Sequence, residues 1–209
     1  MNNIEYFDIY NENMFKIGKE SRQRVHSLGL WHQTFHCWII KDTPSEGLCL
    51  LFQLRHKDKD IFPSLLDISC AGHLQTGEAV EDGVRELEEE LGLSVLIDDL
   101  IYCGMVAQEH VVSSHLVDRE FNHVFIYESN KSLRDYHIQK DEITGLFWIA
   151  LKDFKELLNG ERDHVASEGI IADEVSGLML SDTRELRRKD FTPISDEYFK
   201  VLFAKMERM

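Results

Sequence analysis

A chain of 209 residues, 43% of them hydrophobic, can bury one substantial core, and nothing in that length calls for a second domain. The formal net charge of −15 excludes general affinity for nucleic-acid backbones, which relies on clustered Lys and Arg, so a phosphorylated substrate would need cations brought in. No N-terminal apolar run resembles a signal peptide and no stretch nears the ~20 apolar residues of a membrane span, so a soluble, cytoplasmic protein is expected. Its four cysteines, Cys37, Cys49, Cys70 and Cys103, include no Cys-x-x-Cys pair and read as free thiols, most of them in apolar runs.

Residues 4 to 18 alternate apolar and polar on either side of Asn11-Glu12-Asn13, as the two strands of a hairpin would. Ser21 is a candidate N-cap for a turn of helix in the polar segment that ends at Gly29. TFHCWII, residues 34 to 40, and LCLLFQLR, residues 48 to 55, are apolar runs of strand length parted by Thr43-Pro44-Ser45-Glu46-Gly47, and they predict central strands. Lys57 to Asp60 form a charged loop, and LLDISCAG then leads to Gly72. Beyond residue 93, SVLIDDLIYCGMVAQ reads as one or two strands with a turn at Asp98-Asp99. Residues 109 to 119, with His110, Ser113, Ser114, His115 and Asp118, read as an irregular polar stretch. FNHVFIYE and GLFWIA are strands on either side of a polar excursion from Lys131 to Ile143. Leu151, Phe154, Leu157 and Leu158 have helical spacing, stopped by Asn159-Gly160. Residues 161 to 190 are charged, with an apolar patch around Ile170 to Leu180, and yield no element. Ser195 can cap a last helix whose Tyr198, Phe199, Leu202, Phe203 and Met206 make an apolar face, expected to pack onto the domain, with a homodimer contact as the alternative. The expectation is one α+β domain over residues 1–209: an N-terminal hairpin extension (1–30), a core (31–158) and a C-terminal helical extension (159–209).

Chemistry concentrates between Gly72 and Leu93. Read as a helix from Val80, this stretch puts Val80, Val84, Leu87 and Leu91 on one buried stripe, because their spacing follows the 3.6-residue repeat. Glu86, Glu89 and Glu90 fall together within an arc of roughly 100° away from that stripe. Left without a cation, such neighbours repel by roughly a few tenths of a kcal/mol per pair, so they form either a solvated face or a site for a hard divalent ion. Arg85 lies in i,i+4 reach of Glu89 and can fix its orientation, and Gly92 closes the helix as its C′ residue.

The series Gly72, Glu78, Arg85, Glu86, Leu87, Glu89, Glu90, Gly92 and Leu93 resembles the Nudix hydrolase signature, G-x5-E-x7-R-E-U-x-E-E-x-G-U with U aliphatic, and supplies every specified residue type. The departure is a spacer of six residues, Ala79 to Val84, in place of seven; it falls where loop becomes helix and should reposition Glu78 relative to Arg85. The resemblance implies an α/β/α sandwich of mixed β-sheet between helices, and hydrolysis of a nucleoside diphosphate linked to a moiety X or of another small diphosphate. It implies Mg²⁺, with Mn²⁺ as the substitute, held by Glu86, Glu89, Glu90 and the Gly72 carbonyl. Arg85 would orient Glu89 and Glu78; Gly77, Glu78 and Gly92 would serve the motif's structure; Glu86 and Glu120 are both candidates for the general base. Specificity determinants are expected outside the motif, in residues 55–66 and 108–120 and in the C-terminal extension.

LWHQTFHCWI followed by Gly72-His73 also resembles the isopentenyl diphosphate isomerase branch of the same superfamily. That resemblance implies a second metal site at His32, His73 and Asp118, with Glu120 matching a further acidic ligand. The His26-to-His32 spacing is one residue shorter than in that branch, which sets His26 apart. The isomerase's catalytic cysteine immediately precedes its Gly-His pair; here that position is Ala71, and Cys70 is one residue away, which in an extended strand faces the other side. With the Arg-Glu-x-x-Glu-Glu segment whole, hydrolase is the preferred expectation. A non-catalytic binding module would have no need of Glu86, Glu89 and Glu90 together.

Overall fold

The computed structural model describes residues 4–113, 116–173 and 175–209. In chain order the strands and α-helices are β1 (Tyr6–Tyr10), β2 (Lys16–Ser21), α1 (Arg22–Leu28), β3 (Trp31–Thr43), β4 (Gly47–Arg55), β5 (Leu66–Asp67), β6 (Cys70–His73), α2 (Arg85–Leu91), β7 (Ile101–Ser113), β8 (Leu116–Glu128), β9 (Ile143–Ala150), α3 (Leu151–Leu158), β10 (Val165–Ala172), β11 (Met179–Leu186) and α4 (Asp196–Met206). The expected N-terminal hairpin forms, and Gly29, left-handed at φ 61°, ends α1 where the sequence placed the stop.

β3 organises the sheet. Its β-branched and aromatic residues suit a strand buried on both faces, and it pairs parallel with β8 and antiparallel with β1, β4 and β6. Trp38 and Ile40 on one face join a core closed by Phe154 and Leu157 of α3 and by Tyr198, Phe199 and Leu202 of α4. Phe35, Cys37 and Ile39 on the other face meet Leu87 and Leu91 of α2. Helices thus cover a mixed sheet from two sides, an α/β/α sandwich.

Two parts of the sequence reading need correction. The C-terminal extension is not wholly helical: residues 165–186 hold the hairpin β10–β11, with β10 continuing the sheet beside β9. Its pattern was masked because the inward positions include Ser167 and Gly169, the latter so close to Phe147 that an added Cβ would sit 2.3 Å from the ring. β11 is a largely exposed edge carrying Asp182, Arg184 and Glu185, a composition that discourages further pairing. Likewise residues 109–119 are not irregular; apart from Ser114 and His115, which lie outside the described residues, they form the ends of β7 and β8, paired as Glu109↔Arg119 and His110↔Asp118. Polar side chains turned toward a cavity removed the hydrophobic alternation that would have marked these strands.

Ser195 caps α4, its hydroxyl accepting from the Tyr198 N–H at 3.2 Å, and the helix's apolar face packs within the chain. Leu202 is fully buried there. Leu202→Ala should lower the unfolding free energy by about 2–5 kcal/mol, read from urea denaturation; an unchanged midpoint would show that α4 is not part of the core.

Candidate active site

The glycine-bracketed segment forms a 3-10 turn at Val80–Val84 before α2 begins at Arg85, rather than one continuous α-helix. A 3-10 turn rises about 2.0 Å per residue against 1.5 Å in an α-helix, which lets the shortened spacer cover its distance. Gly83 seats this turn against Phe35, where an added Cβ would lie 2.5 Å from the Phe35 side chain. Glu78 therefore keeps its partner: Arg85 Nε and one terminal nitrogen donate to its two carboxylate oxygens at 2.7 and 3.0 Å. The same guanidinium donates to Glu86 at 2.7 Å, to Glu89 at 3.2 Å and to the His73 carbonyl at 3.0 Å. Gly77, at φ 87°, donates its N–H to Asp8, and left-handed Gly92 closes α2 as expected.

The three box glutamates lie at different depths. Glu89 is exposed, Glu86 is half-buried, and Glu90 is buried and accepts from the Ala71 N–H at 3.3 Å along the outer edge of β6. Glu86 packs so tightly on Gly72 that an added Cβ would fall 2.0 Å from its carboxyl carbon. Burial pushes the Glu86 carboxyl up to about 7 against the pull of Arg85, and burial with repulsion from Glu86 pushes Glu90 up to about 8. Crowded carboxylates sharing one arginine form a donor set suited to a hard divalent cation.

A second cluster stands on three adjoining strands and a helix. His32 on β3 is paired beside Glu120 on β8, His73 on β6 is paired beside Thr34, and α1 supplies His26. His32 Nε2 lies 3.7 Å from Asp118 and 3.9 Å from Glu120; His73 Nε2 is 3.7 Å from Glu120 and His26 Nε2 is 3.7 Å from Asp118. Ligand atoms of His26, His32 and His73, and of His32, Asp118 and Glu120, lie within 4.8 Å of one another. All three Nε2 atoms and Asp118 Oδ1 are buried without a hydrogen-bond partner. Burial holds His26 and His32 down at about 4 and lowers His73 well below its ordinary value, keeping the rings neutral as metal ligation requires. His26 thus belongs with the set, because a helix ended by Gly29, not strand register, delivers it. Phe7 of the N-terminal hairpin stacks on His73 at 4.6 Å and on His32 at 5.5 Å, contacts that sequence spacing gives no means to foresee.

Both clusters open on one cavity of about 960 Å³. Residues from the 55–62 loop, from β7 and β8, and from the segment leading into α4 complete its walls. Ala71 lines the cavity, whereas Cys70 is fully buried against the α2 side with its thiol pushed well up by burial and by Glu90.

Titration sets a test of the box. Glu86 and Glu90, at about 7 and about 8 in the fold against an ordinary 4.5, hold more protons folded than unfolded between those values, so they cost stability as pH rises. The buried histidines, among them His26, His32 and His36 held at about 4 against an ordinary 6.5, act in the opposite sense, but their effect is nearly complete by about pH 7.5. Between about pH 7.5 and 8.5 the melting temperature of the metal-free chain should therefore fall, and Mg²⁺ should raise it more at the upper end of that window than at the lower. A metal-free melting temperature that climbs across this window would contradict the assignment.

The NUDIX domain model matches residues 30–168. The chain is 38% identical over 202 residues, 97% of each protein, to an uncharacterized Nudix hydrolase of Clostridium acetobutylicum. It is 28% identical to isopentenyl-diphosphate Delta-isomerase 2 of Photorhabdus laumondii over 70% of this chain and 78% of that protein. Among solved structures, DR0079 of Deinococcus radiodurans superposes with a TM-score of 0.54 at 22% identity, covering 75% of this chain and 89% of that one, a likeness of fold. With the Arg-Glu-x-x-Glu-Glu run whole on α2 and a family match across most of its length, the chain belongs to the Nudix hydrolase family.

Proposed function

We propose that the protein hydrolyses the diphosphate bond of a nucleoside diphosphate-X or of another small diphosphate compound, using Mg²⁺, or Mn²⁺ in its place. The observation that carries this reading is the convergence of Glu86, Glu89, Glu90 and Gly72 on one cavity wall, organised by Arg85. Glu86, Glu89, Glu90 and the Gly72 carbonyl would hold the ion, which supplies charge to polarise phosphoryl oxygens and acidify water. Arg85 fixes Glu78, Glu86 and Glu89 and keeps their repulsion from splaying the site. Glu86 and Glu120 are both candidates to accept a proton from water, and Glu120, set among His32, His73 and Asp118, also suits a ligand role at the second cluster. That cluster's nitrogen and oxygen donors would hold a second divalent ion. Cys37, Cys49 and Cys70 are buried free thiols, in keeping with a reducing cytoplasm. Among the described residues no helix is long and apolar enough to cross a membrane.

Glu89→Gln and Glu90→Gln each remove a ligand charge while keeping shape, and should lower Mg²⁺-dependent phosphate release from a mixed diphosphate panel by at least about 10²-fold. Full activity in either variant, or in excess EDTA, would sink the metal assignment.

The histidine cluster favours one alternative, an isomerase acting on isopentenyl diphosphate. Against it stands the cavity wall itself, where Ala71 offers no thiol and Cys70 faces away. Incubation with isopentenyl diphosphate and Mg²⁺ or Mn²⁺, followed by NMR, should show no exchange of the double bond; exchange at an enzymic rate would overturn the hydrolase reading.

A further inference from the structure

His36 stands on β3 directly across from Ala71, so its side chain shares the cavity face with the residue whose N–H reaches Glu90. It is 8% exposed, and α4 fixes its ring from behind. Trp38 Nε1 donates to the Tyr198 hydroxyl at 3.1 Å, and that hydroxyl lies 3.1 Å from His36 Nδ1. An indole N–H can only donate, and the fully buried Tyr198 hydroxyl has no other acceptor among the described residues, so its own proton points at Nδ1. Leaving that proton without an acceptor would incur the cost of an unsatisfied buried donor. The ring is thus in its Nε2–H tautomer. Among the described residues Nε2 makes no hydrogen bond, and it is not one of the buried unpaired atoms; it opens on the cavity. Burial keeps the ring neutral.

We infer that His36, set in its Nε2–H tautomer by Tyr198 and Trp38, donates a hydrogen bond to a phosphoryl oxygen of the diphosphate held at the box. The inference takes its substrate class from the hydrolase reading. Phosphoryl oxygens offer only acceptors at neutral pH, and His36 offers the matching donor. A neutral N–H also adds no positive charge beside carboxylates that must remain available to a cation. Tyr198, which acts by fixing the His36 ring, is a positioning residue.

Two measurements on the full chain in excess Mg²⁺ test this. ¹⁵N NMR should find His36 protonated at Nε2 and bare at Nδ1, with Tyr198→Phe converting it to a tautomer mixture. Calorimetry with methylenediphosphonate, a non-hydrolysable diphosphate without any X moiety, should show His36→Leu binding about 10- to 100-fold more weakly, the size of a lost hydrogen bond to a charged group, with Mg²⁺ affinity unchanged. His36→Gln, which keeps a side-chain N–H, should recover part of the loss and carries the test if the leucine variant fails to fold. Wild-type affinity in both His36 variants, or an Nδ1–H tautomer in the native chain, overturns the assignment of His36 alone. A native chain that binds Mg²⁺ but not methylenediphosphonate overturns the diphosphate reading beneath it.

Discussion

One guanidinium holds the site together. Arg85 bonds to Glu78, Glu86, Glu89 and the His73 carbonyl, joining the loop, the motif helix and the end of β6 around a single positive charge. Without it, Glu86 and Glu89 would face each other with no counter-charge short of a bound cation, and the loop carrying Glu78 would lose its anchor. Arginine suits this role where lysine would not, because its planar fork offers several donors in fixed directions. Burial, with carboxylate repulsion that Arg85 only partly relieves, pushes Glu86 and Glu90 up to about 7 and about 8. A divalent ion would relieve that repulsion.

The second organising element is the alternation of β3. Its odd-numbered residues, Phe35, Cys37 and Ile39, pack under α2, while on the other face His32 is buried in the histidine cluster and Thr34 and His36 line the cavity before Trp38 and Ile40 re-enter the core. One strand therefore carries one histidine of the cluster, a polar wall and a hydrophobic anchor in succession along one face. The short β6 completes the arrangement. Glu86 packs onto it because Gly72 has no side chain, and Glu90 accepts from the Ala71 N–H.

Much of this was legible in the sequence where one physical signal dominated. Glycines at Gly72 and Gly92, the Arg-Glu-x-x-Glu-Glu run and the apolar stripe of Leu87 and Leu91 located the motif helix, and Leu151 to Leu158 located α3. Legibility failed where inward positions are polar or small. Ser167 and Gly169 hid β10, and Gln108, His110, Asp118 and Glu120 hid the continuity of β7 and β8. Counting residues set His26 and Glu78 apart, yet ligand atoms of His26 lie within 4.8 Å of those of His32 and His73, and Glu78 is bonded to Arg85. Spacing rules assume one kind of backbone, whereas α1 and the 3-10 turn change the rise per residue. The contacts of Phe7 with the histidines and of Tyr198 with His36 join segments so distant in the chain that no local pattern could announce them.

Those last contacts bear on the order in which the molecule assembles. His36 and Tyr198 are 162 residues apart, and Asp8 reaches Gly77 across 69. Closing such loops carries an entropic cost that is met only once much of the core already exists. The cavity is therefore complete only when both ends of the chain are docked: the ring stack over the histidines comes with β1, and the hydroxyl behind His36 comes with α4. The ligand atoms of His26, His32, His73, Asp118 and Glu120 likewise come together only where α1, β3, β6 and β8 have met, so the set exists only in the native topology.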